Sequence, residues 1–243
     1  MDGKVFDRIE KKYLITKDEK KKLLKVIKSH MKKDDYFKSE VLNLYLDTEN
    51  FDLIIQSIDQ PVFKEKLRAR SYSGYDRVFL EIKTKLRGKD DANAGYKRRV
   101  MITHDDFDEL INKKATMSEL ALRSIETEND LQIAKEIDYL IEHFNLIPKM
   151  LVIYNRESYK GEDNLRITFD ENLRYRSKNL KLKKGKRDKI YFSDSQKNII
   201  LEIKAHGSFP LWLVKTLSEN KIYPQRFSKV GKIYEKVRKE KNV

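Results

Sequence analysis

The sequence contains no cysteine. That excludes a disulfide scaffold, a thiolate nucleophile and cysteine-ligated zinc. Only His30, His104, His143 and His206 supply imidazole, and no two are spaced as a metal pair. With 8 glycines and 4 prolines in 243 residues, little material remains for a flexible linker. One domain spanning residues 1–243 is therefore expected. No run approaches the ~18–20 apolar residues of a membrane-spanning helix, so no transmembrane segment is expected. No basic-then-apolar leader opens the chain, which points to a cytoplasmic location. Positive charge is what the chain has in excess. Its 53 Lys and Arg against 39 Asp and Glu give a formal net charge of +14. Such a chain attracts polyanions: nucleic acid, nucleotides, polyphosphate or an anionic membrane surface.

Periodicity predicts an alternation of strands and helices. Residues 5–15 read as a strand, and Thr16-x-x-Glu19 then forms a capping box. Leu23, Leu24, Ile27 and Met31 follow at helical spacing. Strands are expected at 39–47, 62–72, 77–87 and 95–103, with a short helix at 50–58. The middle reads as helical pieces at 107–111 and 117–125 and a longer helix capped by Asn129. Further strands are expected at 149–160, 164–170, 173–177 and 198–206. The basic run 178–189 reads as an exposed loop. Residues 209–218 read as a helix with Pro210 near its first turn, and a last helix starts near Arg226.

The charges themselves alternate. In a strand, residues two apart share a face. Lys66, Arg68 and Arg70 share one with Lys64 and Tyr72, and Glu81 and Lys83 share one with Phe79 and Lys85. Glu10 and Lys12 share a face with Arg8. Glu202, Lys204 and His206 share another, as do Lys97, Arg99 and Met101. Arg156 lies with Tyr154 and Ser158, and Arg166 with Thr168 and Asp170. One reading is an ordinary antiparallel sheet with a face in water. Yet the polar faces are overwhelmingly basic, and enough strands are present for those faces to meet inside a barrel of about eight strands. Inward Lys and Arg would repel one another unless water or a dense anion filled the space. The expected fold is therefore α+β: a closed antiparallel β-barrel with flanking helices and a basic tunnel.

These motifs, in this order, resemble the VTC domain, the polyphosphate polymerase branch of the CYTH or triphosphate tunnel metalloenzyme superfamily. Arg8-Ile-Glu-Lys-Lys12-Tyr13 resembles the family's first strand. Lys66-Leu-Arg68-Ala-Arg70 resembles its Arg-x-Arg strand, Phe79-Leu-Glu81-Ile-Lys83 its Glu-x-Lys strand and Lys97-Arg-Arg99 its Lys-x-Arg strand. Arg156 and Arg166 stand in segments resembling its two later arginine strands. Leu201-Glu202-Ile-Lys204 resembles its metal-carboxylate strand, and Arg226-Phe-Ser228-Lys229 its Lys-Phe-Ser-Lys at the closing helix. The wider superfamily opens with Glu-x-Glu-x-Lys. Here Arg8 replaces the first Glu, which favours the VTC branch over its hydrolase relatives.

The resemblance implies transfer of the γ-phosphate of ATP to a growing polyphosphate chain, dependent on Mn²⁺ or Mg²⁺. It implies phosphate binding by Arg8, Lys12, Lys66, Arg68, Arg70, Lys83, Lys97, Arg99, Arg156, Arg166 and Lys204. The metal would be held by Glu202, with Glu10 as a second candidate, and Arg226, Ser228 and Lys229 would act in catalysis. Glu202 could instead be a salt-bridge partner of Lys204, and Glu81 reads as an organiser of Lys83 and Arg70. ATP and polyphosphate are the expected partners, association with a membrane partner is compatible, and nucleic acid is not expected. Two other functions stay open on the residues: a tunnel triphosphatase, and a non-catalytic polyphosphate or RNA binder.

Overall fold

The computed structural model describes the chain except residues 1–7, 60–61, 88–92, 125–126, 184, 186–187, 193–196 and 242–243, and describes Arg8, Arg87, Asn93, Ala94, Ser124 and Lys241 by their backbone alone. The expected strand residues 5–7, Ile125, and Lys184, Lys186 and Arg187 of the basic run lie outside the described residues. The chain divides into two compact units. The first comprises Met1–Glu40, Tyr154–Arg174 and Ile190–Ser228, the second Val41–Ile153, Tyr175–Lys189 and Lys229–Val243.

In the first unit the strand order is β1 (Arg8–Ile15), β9 (Ile199–His206), β7 (Arg166–Arg176) and β6 (Ile147–Lys160), with β6 next to β2 (Lys32–Asp47). Both β6 and β2 continue into the second unit. β9 pairs antiparallel with β1 and with β7. One face carries Ile15, Ile167, Phe169, Leu201 and Ile203, all buried. It forms one core with Leu23 and Ile27 of α1 (Lys17–His30) and Leu213 of α6 (Leu211–Glu219). The helix α1 begins where its capping box predicts. Thr16 Oγ1 accepts from the Glu19 amide at 3.1 Å, and the Glu19 carboxylate accepts from the Thr16 amide at 2.7 Å.

In the second unit β6 and β2 are followed by β3 (Phe63–Tyr72), β4 (Val78–Arg87) and β5 (Asn93–Ile102). The β2–β3, β3–β4 and β4–β5 pairs are antiparallel. Here the apolar residues Leu44, Leu67, Ala69, Leu80, Ile82 and Val100 are buried. They join a core with α3 (His104–Ile111), α4 (Met117–Ser124) and α5 (Glu128–His143). This unit also holds α2 (Asp52–Ile58) and α7 (Lys229–Lys241); the two-residue strand β8 (Lys189–Ile190) pairs with β7. Burial of one parity fixes the register, because a slip of one residue would bring the charges into the core.

The architecture is α+β with an antiparallel sheet. Among the described residues no ladder joins β1 to β5, so hydrogen bonds do not close the sheet into the expected barrel. Three expectations shift. β2 starts at Lys32 rather than 39, because its first four residues, Lys-Lys-Asp-Asp, are polar on both faces. The two strands expected at 164–170 and 173–177 are one, β7, with Asn172 at φ 52° inside it. Asparagine tolerates that left-handed conformation, and its turn-like signal splits the pattern. The α5 cap is Thr127, not Asn129: its side chain accepts from the Asp130 amide at 3.2 Å.

Candidate functional site

The second unit presents a cationic strand face. Register places Tyr45, Arg68, Glu81 and Arg99 in one transverse row, and Asn43, Arg70, Phe79 and Met101 in the next. A third row sets Lys66 against Lys83 and Lys83 against Lys97. Glu81 is 1% exposed and anchors the arrangement. Its carboxylate accepts from Arg68 Nε at 2.8 Å and lies 2.7 Å from the terminal nitrogen Nη2. It stands 3.8 Å from Arg70 Nε and 3.3 Å from Lys97 Nζ. Burial alone would raise the Glu81 carboxyl; Arg68, Arg70 and Lys97 outweigh it and hold it at about 2, from an ordinary 4.5. The Lys97 ammonium is pushed down by burial, helped by Arg99 and Arg70, while Glu81 opposes the shift.

Neutral groups hold the arginines in line. Arg70 Nε donates to Asn43 Oδ1 at 2.8 Å, and Arg68 reaches the Tyr45 hydroxyl at 3.4 Å. Asp47, on the same parity of β2, does not join them. Its carboxylate accepts from the amides of Leu53 and Ile54 at 2.9 Å and so starts α2. Glu81 is thus an organiser of Arg70, as the sequence suggests, but with Arg68 and Lys97 as further partners.

The first unit presents a face where charges balance. Lys12 on β1 lies opposite Glu202 on β9, and Glu10 opposite Lys204. Ion pairs link the four. Lys204 meets Glu202 at 2.6 Å and Glu10 at 3.4 Å, and Lys12 meets Glu10 at 3.1 Å and Glu202 at 3.8 Å. On β7, Thr168 lies opposite Glu202 and Arg166 opposite Lys204. Arg156 makes a two-pronged pair with Asp170 at 2.6 and 2.8 Å. Burial disfavours the Arg156 charge, but Tyr154 and Asp170 more than compensate and raise its pKa well above the ordinary value. Arg166 donates to Ser158 Oγ at 3.0 Å and pairs with Asp34 at 2.9 Å. Asp34, Ser158, Thr168 and Asp170 are partners that the strand pattern did not single out as site residues. They become visible only through cross-strand register.

The divalent ion implied by the sequence can be tested against these donors. Among the described residues no group of three or more His, Asp or Glu side chains converges. Two carboxylates, Glu10 and Glu202, do share the same pair of lysines. The buried Thr168 Oγ1, opposite Glu202, has no hydrogen-bond partner. Hard oxygen donors of this kind suit Mg²⁺ or Mn²⁺, which keeps waters and takes phosphate oxygens as well. The donor set fits.

The C-terminal motif does not sit as expected. α7 starts at Lys229, so Arg226 and Ser228 precede it instead of forming its first turn. Pro224 and the irregular chain at 222–228 delay the helix, and Ser228 directly precedes it, where a hydroxyl residue is favoured. The Gln225 amide donates to the Lys12 carbonyl at 2.7 Å, which brings the chain at Arg226 beside β1. Lys66 and Lys83 are placed by register, and the side chain of Arg8 lies outside the described residues.

The VTC domain family matches residues 7–237, nearly the whole chain. The chain belongs to the VTC domain family. No curated protein sequence matches it. Among solved structures it is similar to a putative adenylyl cyclase from Hippeastrum reported with a dominant triphosphatase activity. That match has 16% identity and a TM-score of 0.50, and covers 92% of this chain and 93% of that one. A Pyrococcus horikoshii OT3 protein matches with 13% identity and TM-score 0.47, covering 94% of this chain and 99% of that one. A putative adenylate cyclase from Vibrio parahaemolyticus matches with 11% identity and TM-score 0.46, covering 94% and 98%. At these identities the likeness concerns the fold alone. Among the described residues no helix is long and apolar enough to cross a membrane.

Proposed function

We propose that this VTC domain is an ATP-dependent polyphosphate polymerase that moves the γ-phosphoryl group of ATP onto a growing polyphosphate chain. The observation that carries the reading is the row Lys66–Lys83–Lys97, set in register beside Arg68 and Arg99. Ammonium groups aligned across three strands suit a dense anion lying along the row. A chain of phosphates has the matching charge and repeat. Family membership supports ATP as donor and a polymer as product. The reading includes closure of the sheet around a tunnel in a single domain acting in the cytoplasm.

Phosphoryl transfer asks for positioning and charge stabilisation more than for covalent chemistry. Arg68, Arg70, Arg99, Arg156 and Arg166 offer planar forks that take two phosphate oxygens each. Arg8, Lys12, Lys66, Lys83, Lys97 and Lys204 add further charge. Glu202 and Glu10 would hold Mn²⁺ or Mg²⁺, which when bound neutralises charge on the phosphate oxygens. A terminal oxygen of orthophosphate or of the chain attacks the γ-phosphorus. The bond from that phosphorus to the β–γ bridging oxygen breaks, and ADP leaves with the electron pair. Arg226, Ser228 and Lys229 hold the receiving phosphate, Lys229 from the first position of α7, where free amides favour anions.

The test is purified protein with ATP and Mn²⁺, resolved for long-chain polyphosphate and orthophosphate. A polyphosphate ladder is expected. Orthophosphate alone would identify a triphosphatase, and ATP binding without turnover a non-catalytic binder.

A further inference from the structure

One end of the cationic face is largely aromatic. Beyond the Arg68–Glu81–Arg99 row, Phe79 stands opposite both Arg70 and Met101. The β3–β4 turn folds Tyr75 over it: Gly74 takes φ 81°, and the Tyr75 amide donates to the Tyr72 carbonyl at 3.0 Å. The Tyr75 and Phe79 rings are parallel within 5°, with centroids 6.2 Å apart. Tyr72 meets Phe79 edge-on at 6.2 Å. The Arg99 guanidinium lies 4.9 Å above the Phe79 ring. Tyr75 is 44% exposed and Met101 45% exposed. Flat aromatic, guanidinium and thioether surfaces are thus grouped, partly in solvent, on the face that carries the phosphate-binding rows.

We propose that this cluster is a nucleobase-stacking platform and that it seats the base of the nucleoside triphosphate donor; the proposal rests on the phosphate reading of the neighbouring rows. Bases stack on aromatic rings and on guanidinium planes alike. The platform lies two rows from Lys66–Lys83–Lys97, about 14 Å along the strands at ~3.4 Å per residue. A ribose and an extended triphosphate bridge such a gap, which sets the terminal phosphate among the lysines. The platform does not read base edges. The Asn43 amide beside it is already engaged, accepting from Arg70 at 2.8 Å and donating to the Val152 carbonyl at 3.5 Å. Preference should therefore follow stacking area, with purines above pyrimidines and little distinction between ATP and GTP.

The test is calorimetric titration of ATP, CTP and inorganic tripolyphosphate into wild type, Tyr75→Ala and Tyr75→Phe. Tyr75→Ala should weaken ATP binding roughly 5- to 100-fold, the range for losing one base–aromatic stack, and leave tripolyphosphate within about twofold. Tyr75→Phe should bind ATP like wild type, and wild type should bind ATP more tightly than CTP. Met101→Ala serves as a second variant in case Tyr75→Ala disturbs the turn, and should likewise weaken ATP selectively. Equal loss of ATP and tripolyphosphate, or no loss of either, would overturn the platform while leaving the phosphate rows standing. Wild type that binds neither ATP nor tripolyphosphate would overturn the phosphate reading itself.

Discussion

The two strand faces solve the same electrostatic problem differently. In the second unit Arg68, Arg70 and Lys97 surround one buried carboxylate, Glu81, and Lys66, Lys83 and Arg99 stand in register on the same strands. In the first, Lys12, Lys204, Arg156 and Arg166 are met by Glu10, Glu202, Asp170 and Asp34. On the proposed reading, the second unit's face receives the anion, and a face of paired charges can trade an ammonium for a metal ion without leaving a charge stranded. The proposed function leaves Glu81 with its arginines and gives Glu202 the metal, although both lie on strands with the same Glu-x-Lys pattern. Exposure separates them less than company does: Glu81 is 1% and Glu202 7% exposed.

The strongest break in that contrast is expected at Glu202. Glu202→Gln keeps the shape and removes the charge, so turnover at limiting Mn²⁺ should fall ~100-fold or more, the scale of a lost electrostatic stabiliser. ATP affinity should change little; unchanged turnover would return Glu202 to a structural pair with Lys204. Next comes Lys229→Ala, expected to lower kcat by about 10- to 1,000-fold with a smaller change in ATP affinity. Lost ATP binding with kcat intact would make Lys229 a donor-binding residue.

Glu81→Gln should act on stability instead. Its pKa is depressed from 4.5 to about 2, so its contribution is fully present above pH 4.5 and is lost as pH falls toward 2. The drop corresponds to roughly 3 kcal/mol at neutral pH. Urea unfolding should show that deficit at pH 7 and a narrower one at pH 3; a gap that widens on acidification would contradict the role. The smallest effect sharpens the comparison most. Removing one of the three lysines of the row in Lys83→Ala should weaken tripolyphosphate binding, read by calorimetric titration; unchanged binding would take the row out of the phosphate site.

Much of this was legible in the strand pattern. Period-2 alternation located the basic faces and the apolar faces beneath the helices, and Thr16 and Glu19 announced α1. Cross-strand register was not legible. Nothing local in Lys66, Lys83 and Lys97 says that they form a row, or that Thr168 lies opposite Glu202. The aromatic end of the face was hidden because Tyr75 sits in a turn, outside any strand parity. The start of α7 was misplaced because the hydrophobic stripe from Phe227 through Val230 and Ile233 runs past the true helix boundary, with Phe227 itself buried ahead of the helix.

The division of labour between the faces is tested most directly by titrating tripolyphosphate, with and without Mn²⁺, into wild type, the double variant Lys66→Ala/Lys83→Ala and Glu202→Gln. The lysine variant should lose affinity in both conditions. Glu202→Gln should match wild type without Mn²⁺ and lose only the increment that Mn²⁺ adds. A lysine variant that binds tripolyphosphate as wild type does, or a Glu202→Gln protein that keeps the full Mn²⁺ increment, would contradict the assignment of the lysine row to phosphate and of Glu202 to the metal.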